Sequence, residues 1–249
     1  FVMHAVNQGV TSFCYSGELP EWFFQDWFDR QCAGRDNINV SESELGFKNY
    51  MIDPAAVELI HDWYRELIYI YDNSVVENDD DENESILQTL ETAIKQYGCK
   101  FLMIDNLMTA ISDDLKSDLY RQQSAFVRAL AEMAKKYDVI ILLIVHPRKR
   151  QGNTFSNDEV AGSSNITNLA DVVLNYAMPR DDMDVVPDRV LQVTKNRLSG
   201  TTGTINLWYD IPSKRILEAI GMHRLDLGWD IVDDFMNLPD MGEDTDISF

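Results

Sequence analysis

Seven consecutive apolar residues, Val139-Ile-Ile-Leu-Leu-Ile-Val145, constrain the architecture more than any other stretch of this chain. The run is far shorter than the roughly 18 residues a membrane helix needs, and no run of that length occurs. A strand without alternation requires apolar cover on both faces, the setting of a central parallel strand between layers of helices. The flanking segments supply such layers. Pro20–Gln31 reads as a helix with Trp22, Phe23, Trp27 and Phe28 at helical spacing. Pro54–Glu66 is a second helix with Asp53 as its N-cap, and Ser85–Tyr97 a third, closed by Gly98. Ser117–Tyr137 is a fourth. Between them lie strand-like runs at Val10–Tyr15, Leu67–Tyr71 and Lys100–Ile104. Strands alternating with helices predict right-handed crossovers and an α/β fold with a mostly parallel central sheet. After Pro147 the pattern changes to short strands (Ala170–Tyr176, Arg189–Thr194, Thr204–Trp208) with tight turns, predicting an antiparallel C-terminal edge.

A chain of 249 residues makes one large domain or two small ones and buries a full core without staples. Its three cysteines, Cys14, Cys32 and Cys99, have neither disulfide nor metal spacing and fit a reducing cytoplasm. Phe1–Gln8 has no basic cluster and no long apolar core, so it does not read as a signal peptide. Net charge is −21, which argues against a nonspecific nucleic-acid binder. However, Asp72–Glu84 carries seven acids and Asp226–Phe249 eight, with no base in either. The body outside them stands at −6, which decides nothing about nucleic acid. Both acidic runs read as solvated segments.

Chemically capable residues recur where strands end. Glu18 follows Val10–Tyr15, Asp105 ends Lys100–Ile104, and His146 ends Val139–Val145. Singly they are a turn acid, a helix cap and a satisfied histidine. Together they occupy the crevice where open α/β sheets bind ligands, in an ATPase-like pattern. Phe101-Leu-Met-Ile-Asp105 has the form of a Walker B strand, an apolar run delivering a carboxylate for Mg²⁺. The partner motif GxxxxGK[ST] is absent from the 249 residues. The expectation is therefore that the chain opens just downstream of a phosphate loop and is inactive alone.

Four stretches then carry a resemblance: Ile144-Val-His-Pro-Arg-Lys149, Val160-Ala-Gly-Ser-Ser164, Leu169-Ala-Asp-Val-Val173 and Leu191-Gln-Val-Thr-Lys-Asn-Arg197. In that order, over about residues 1–215, the chain resembles the DnaB-like hexameric replicative helicases, most of all the motor domain of Twinkle and the phage primase-helicases. The resemblance implies a RecA-like P-loop NTPase core that uses ATP and Mg²⁺, over residues 1–220 with an acidic insertion at 72–84. Residues 221–249 would form an acidic C-terminal tail. Ser16-Gly-Glu-Leu-Pro20 matches the family's S-x-E motif, which makes Glu18 the residue that deprotonates the attacking water. Asp105 would organise Mg²⁺, with Asn106 beside it, and His146 would sense the γ-phosphate. Lys195 and Arg197 would reach the neighbouring subunit's nucleotide, Arg197 as an arginine finger. Alternate residues of an extended segment share one side, which suits two cations aimed at one phosphate. The stretch from Asp158 to Asn168 corresponds to a channel loop that tracks DNA. Within it Gly162, Ser163, Ser164 and Asn165 offer amides and hydroxyls to phosphates, with Arg148, Lys149 and Arg150 upstream supplying charge.

The function implied is an ATP-dependent DNA helicase that translocates on single-stranded DNA as a ring-shaped homo-oligomer, a hexamer by resemblance, in the cytoplasm of a bacterium or phage-infected host. The alternatives are a RecA-like recombinase or helicase-loader ATPase, and a nonenzymatic scaffold on the same fold. The tail ends in Gly242-Glu-Asp-Thr-Asp-Ile-Ser-Phe249, which suits docking to a replisome protein through basic patches and an aromatic pocket. Trp229, Ile231, Phe235 and Met236 leave open a tail that packs back on the body.

Overall fold

Local capping chemistry fixes several helix ends. Asp53 accepts a hydrogen bond from the Ala55 amide ahead of Pro54. Ser85 and Gln88 form a reciprocal capping box, and Gly98 takes the left-handed conformation that ends the same helix. The computed structural model describes residues 1–73, 85–111, 119–146, 164–178, 187–218, 225 and 227–229. In order these form α1 (Val2–Asn7), β1 (Ser12–Ser16), α2 (Glu21–Ala33), a 3-10 turn, β2 (Ile38–Glu42), β3 (Lys48–Ile52), α3 (Pro54–Tyr64) and β4 (Ile68–Ile70). Next come α4 (Ile86–Tyr97), β5 (Phe101–Asp105), α5 (Leu107–Ala110), α6 (Leu119–Tyr137), β6 (Ile140–Leu143) and α7 (Ser164–Leu169). The strands β7 (Val172–Ala177), β8 (Arg189–Asn196), β9 (Gly203–Tyr209) and β10 (Ile216–Leu217) follow.

The first sheet is parallel, ordered β4-β1-β5-β6. Its two inner strands divide their side chains between two cores. Phe13, Tyr15, Leu102 and Ile104 enter one, with α4 and α6. Cys14, Phe101 and Met103 enter the other, with α1, α2 and α3. This period-2 sorting of an uninterrupted apolar run is what burial on both faces requires. Burial drives the Cys14 thiol pKa well above its ordinary value, so that cysteine is a core residue rather than a nucleophile.

The position of Val139–Val145 differs from expectation. Ile141 and Leu143 face one core, Leu142 and Ile144 the other, as a two-faced strand should. Yet β6 pairs only with β5 among the described residues and lies at the sheet's edge, with Ile140 64% exposed. The apolar pattern reports cover on the faces and says nothing about pairing at the edges. The C-terminal strands are antiparallel as expected, and among the described residues they form a sheet of their own, β10-β9-β8-β7. A two-stranded hairpin of β2 and β3 adds a third sheet.

The chain's late residues return to α2. Arg215 is 9% exposed and donates to the carbonyls of Gln31, Cys32 and Leu225. Gly34 has φ 69°, and a Cβ there would lie 3.0 Å from the Arg215 guanidinium. Trp229 packs edge-on against Trp63 and donates its indole N–H to the Cys32 carbonyl. Of the four apolar tail residues considered above, Trp229 thus packs on the body, while Ile231, Phe235 and Met236 lie outside the described residues.

Candidate functional site

Register alone brings the first two site residues together. Parallel pairing of β1 with β5 sets Ser16 opposite Asp105, so the turn after β1 and the end of β5 share one edge of the sheet. The Gly17 amide donates to the Asp105 carbonyl (2.7 Å). Ser16 Oγ accepts from the Leu19 amide, closing the turn, and Asn73 donates its side-chain amide to the carbonyls of Ser16 and Leu19. Gly17 is required by close approach: a Cβ there would fall 2.2 Å from Thr109 Oγ1. Glu18 therefore leaves the turn directly above the first turn of α5.

Beyond Asp105 the chain enters α5 through Asn106, which is 1% exposed. Its Oδ1 caps the helix by accepting from the amides of Met108 and Thr109. Its Nδ2 donates to Glu18 Oε1 at 2.5 Å. Thr109 Oγ1 accepts from the Asn106 amide and donates to the Asn106 carbonyl. The Thr109 carbonyl in turn accepts from the Tyr15 hydroxyl (2.8 Å). His146, just beyond β6, brings Nε2 to 3.3 Å from the same Glu18 Oε1. The Leu107 amide bonds the Ile144 carbonyl, joining α5 to that third strand end.

Glu18 and His146 remain about half exposed, so the cluster opens to solvent. Burial first, and the negative charge of Glu18 second, hold the Asp105 carboxyl above its ordinary pKa, with His146 acting the other way. Two oxygen donors converge here with their charge incompletely offset. That donor set suits a hard cation such as Mg²⁺, which Asp105 would hold.

The second expected group stands apart from the first. Lys195 lies in β8 opposite Val173, beside a bulge in β7, and Arg197 follows the strand. Lys195 Nζ donates to the carbonyls of Thr167 (2.6 Å) and Asn168 (3.1 Å). Arg197 donates to Asn168 O (2.7 Å) and pairs with Asp171 (3.3 Å). Both cations thus lie on one side and share one acceptor at the C-terminal end of α7, where cations are favoured. Desolvation and the nearby Arg197 charge lower the Lys195 pKa.

Of the DNA-loop residues, Arg148, Lys149, Arg150, Gly162 and Ser163 lie outside the described residues. Ser164 and Asn165 open α7, so the end of the expected loop is helical. Ile166 and Leu169 at i and i+3 bury against the α6 side of the core and explain that turn of helix. Sequence reasoning missed Gly17, Asn73 and Thr109 as parts of the site. The Asn106-Leu-Met-Thr109 spacing was a usable local signal, since it is the frame of a capping box.

Several solved structures share this fold. One, the ATPase domain of another protein, matches with a TM-score of 0.65 at 16% identity, over 87% of this chain and 78% of that one. A DnaB-like replicative helicase, solved in a study of its interactions with primase, matches with a TM-score of 0.64 at 16% identity, over 85% of this chain. This chain covers 52% of that helicase, about half its length. A KaiC-like protein, PH0186 from Pyrococcus horikoshii OT3, has a TM-score of 0.53 at 12% identity, over 87% of this chain and 78% of its own. These likenesses bear out the α/β fold expected from the alternation of strands and helices, with the RecA-like core that the family resemblance implied. Residues 4–152, more than half of the chain and spanning Glu18, Asp105, Asn106 and His146, match the family described as AAA domain, and the chain belongs to that family.

Proposed function

We propose that this chain is the motor domain of a replicative DNA helicase that hydrolyses ATP and moves along single-stranded DNA as a ring. One observation carries the reading: Glu18, Asp105 and His146 converge at the ends of three adjacent parallel strands, β1, β5 and β6. Open α/β sheets bind ligands at that edge. The fold likeness to a solved ATPase domain and to the DnaB-like helicase supports the same class.

In this reading the motor spans 1–220 and 221–249 forms the acidic tail. Bound Mg²⁺ would neutralise phosphate charge, with Asp105 as its protein-side carboxylate. Glu18 takes a proton from water, whose oxygen bonds to the γ-phosphorus as the bond to the leaving ADP oxygen breaks and its electron pair passes to ADP. His146 contacts Glu18 from the β6 side, and in this reading it registers whether a γ-phosphate is present. Lys195 and Arg197, directed at α7 rather than at Glu18, serve the nucleotide of a neighbouring copy.

The test is steady-state ATP hydrolysis and forked-duplex unwinding by the full-length protein, with and without single-stranded DNA. Stimulated hydrolysis together with strand separation is expected. Hydrolysis without any unwinding would remove the helicase assignment and leave an ATPase of another kind.

A further inference from the structure

We propose that Asn106 is a positioning residue for hydrolysis: its buried amide selects and holds the Glu18 carboxylate in working orientation. The proposal deepens the assignment of Glu18 as general base and rests on it. The two ends of the Asn106 side chain have separate duties. Oδ1 is committed to the amides of Met108 and Thr109 at the start of α5. That commitment fixes which end of the amide is which, and Nδ2 is thereby turned to Glu18 Oε1. The main-chain amide and carbonyl of Asn106 are both held by the Thr109 hydroxyl. Asn106 thus offers a donor from a rigid, fully buried seat.

Glu18 needs such a donor. Its side chain is 52% exposed and long, so several rotamers compete in the absence of a fixed partner. Among the described residues, Asn106 and His146 both contact Oε1. Oε2 is thereby left to face the incoming water. A residue needed only to cap α5 would serve equally as Asp or Ser, since these rank with Asn at that position. The amide adds the one thing those residues lack, a donor directed at a carboxylate. The groups facing Glu18 in the described structure are Asp105 at the end of β5 and His146 beyond β6. Asp105 repels the carboxylate, and the Asn106 amide supplies a neutral donor that offsets that repulsion.

The experiment compares full-length wild type, Glu18→Gln, Asn106→Asp, and the double variant by steady-state ATPase, together with affinity for a fluorescent ATP analogue. Asn106→Asp keeps the helix cap and removes the donor. It is expected to lower kcat about 10²-fold, the usual consequence of an ångström-scale misplacement. KM and analogue affinity should stay within about twofold of wild type, because the loss falls on turnover rather than on binding. In the Glu18→Gln background Asn106→Asp should slow turnover by no more than about twofold, since its effect passes through Glu18. Asn106→Ser, a neutral cap without the reach of an amide, should reproduce the loss, which excludes the new charge as its cause and decides the matter where Asn106→Asp folds poorly. Wild-type kcat in Asn106→Ser, or a double variant slowed by the full product of the two single effects, would overturn the proposal. Undiminished turnover in Glu18→Gln alone would instead overturn the base assignment, independently of Asn106.

Discussion

Adding one methyl group at Gly17 should disable the site without replacing any titratable residue. A Cβ at this position falls 2.2 Å from Thr109 Oγ1, 2.3 Å from Thr109 Cβ and 2.9 Å from the Tyr15 hydroxyl. Non-bonded carbons settle at about 3.5–4.0 Å, so the turn has to lift by about 1 Å or more. Thr109 cannot simply rotate away, because its Cβ is itself too close and its hydroxyl is engaged twice with Asn106. The lift would carry Glu18 off Asn106 and weaken the bond between the Gly17 amide and Asp105. A misplacement of that size costs about 10²-fold in rate, and overpacking of this kind costs about 1–3 kcal/mol in stability. Gly17→Ala is therefore expected to bind a fluorescent ATP analogue nearly as wild type while kcat falls about 10²-fold. Thr109→Gly introduced into the same chain removes the two Thr109 contacts, leaving the longer one to Tyr15, and should recover part of the rate. Wild-type kcat in Gly17→Ala would refute the close-packed turn as the determinant of Glu18's position.

Other consequences are equally direct. Arg197→Ala subunits mixed with Glu18→Gln subunits should show more ATPase than either variant alone, because intact halves meet at mixed interfaces; no gain at any ratio would remove Arg197 as a trans-acting residue. Asp105→Asn should abolish hydrolysis and raise the thermal midpoint of the nucleotide-free protein, since burial disfavours the charged carboxyl. A raised folded-state pKa means that Asp105 opposes folding once pH exceeds its ordinary range, so the gain should shrink as pH falls toward 4. Trp229→Ala should cost about 3–5 kcal/mol in urea unfolding, because it empties a buried site and leaves the Cys32 carbonyl with one donor fewer.

The parts of the structure legible in the sequence are those set by short-range chemistry. Asp53 before Pro54 and Gly98 after Tyr97 mark helix ends through contacts within a few residues, and both take their expected roles; the Ser85–Gln88 capping box is equally local. The strand ends were legible for a related reason: apolar runs mark β1, β5 and β6, and the residues just past them fall on one edge once the strands are parallel. What remained hidden depends on distant partners. The hairpin of β2 and β3 has exposed faces and a mixed pattern, Ile-Asn-Val-Ser-Glu, that carries little periodic signal. Arg215 reads as a surface cation, yet it is buried by carbonyls some 180 residues earlier in the chain. The edge position of β6 was invisible because hydrophobicity records covered faces and not paired neighbours. Asn106 was legible as a companion of Asp105. Its contact with Glu18 needed the register of β1 against β5 and the close seat of Gly17 on Thr109.

The central claim is that Glu18 is the general base of an ATP-hydrolysing site built at the ends of β1, β5 and β6. Its most direct test is Glu18→Gln in the full-length protein, measured for nucleotide affinity and for single-turnover hydrolysis. The account predicts affinity within about twofold of wild type and hydrolysis slower by about 10²–10⁴-fold, the usual cost of losing a general base. Near wild-type hydrolysis with unchanged affinity would contradict it.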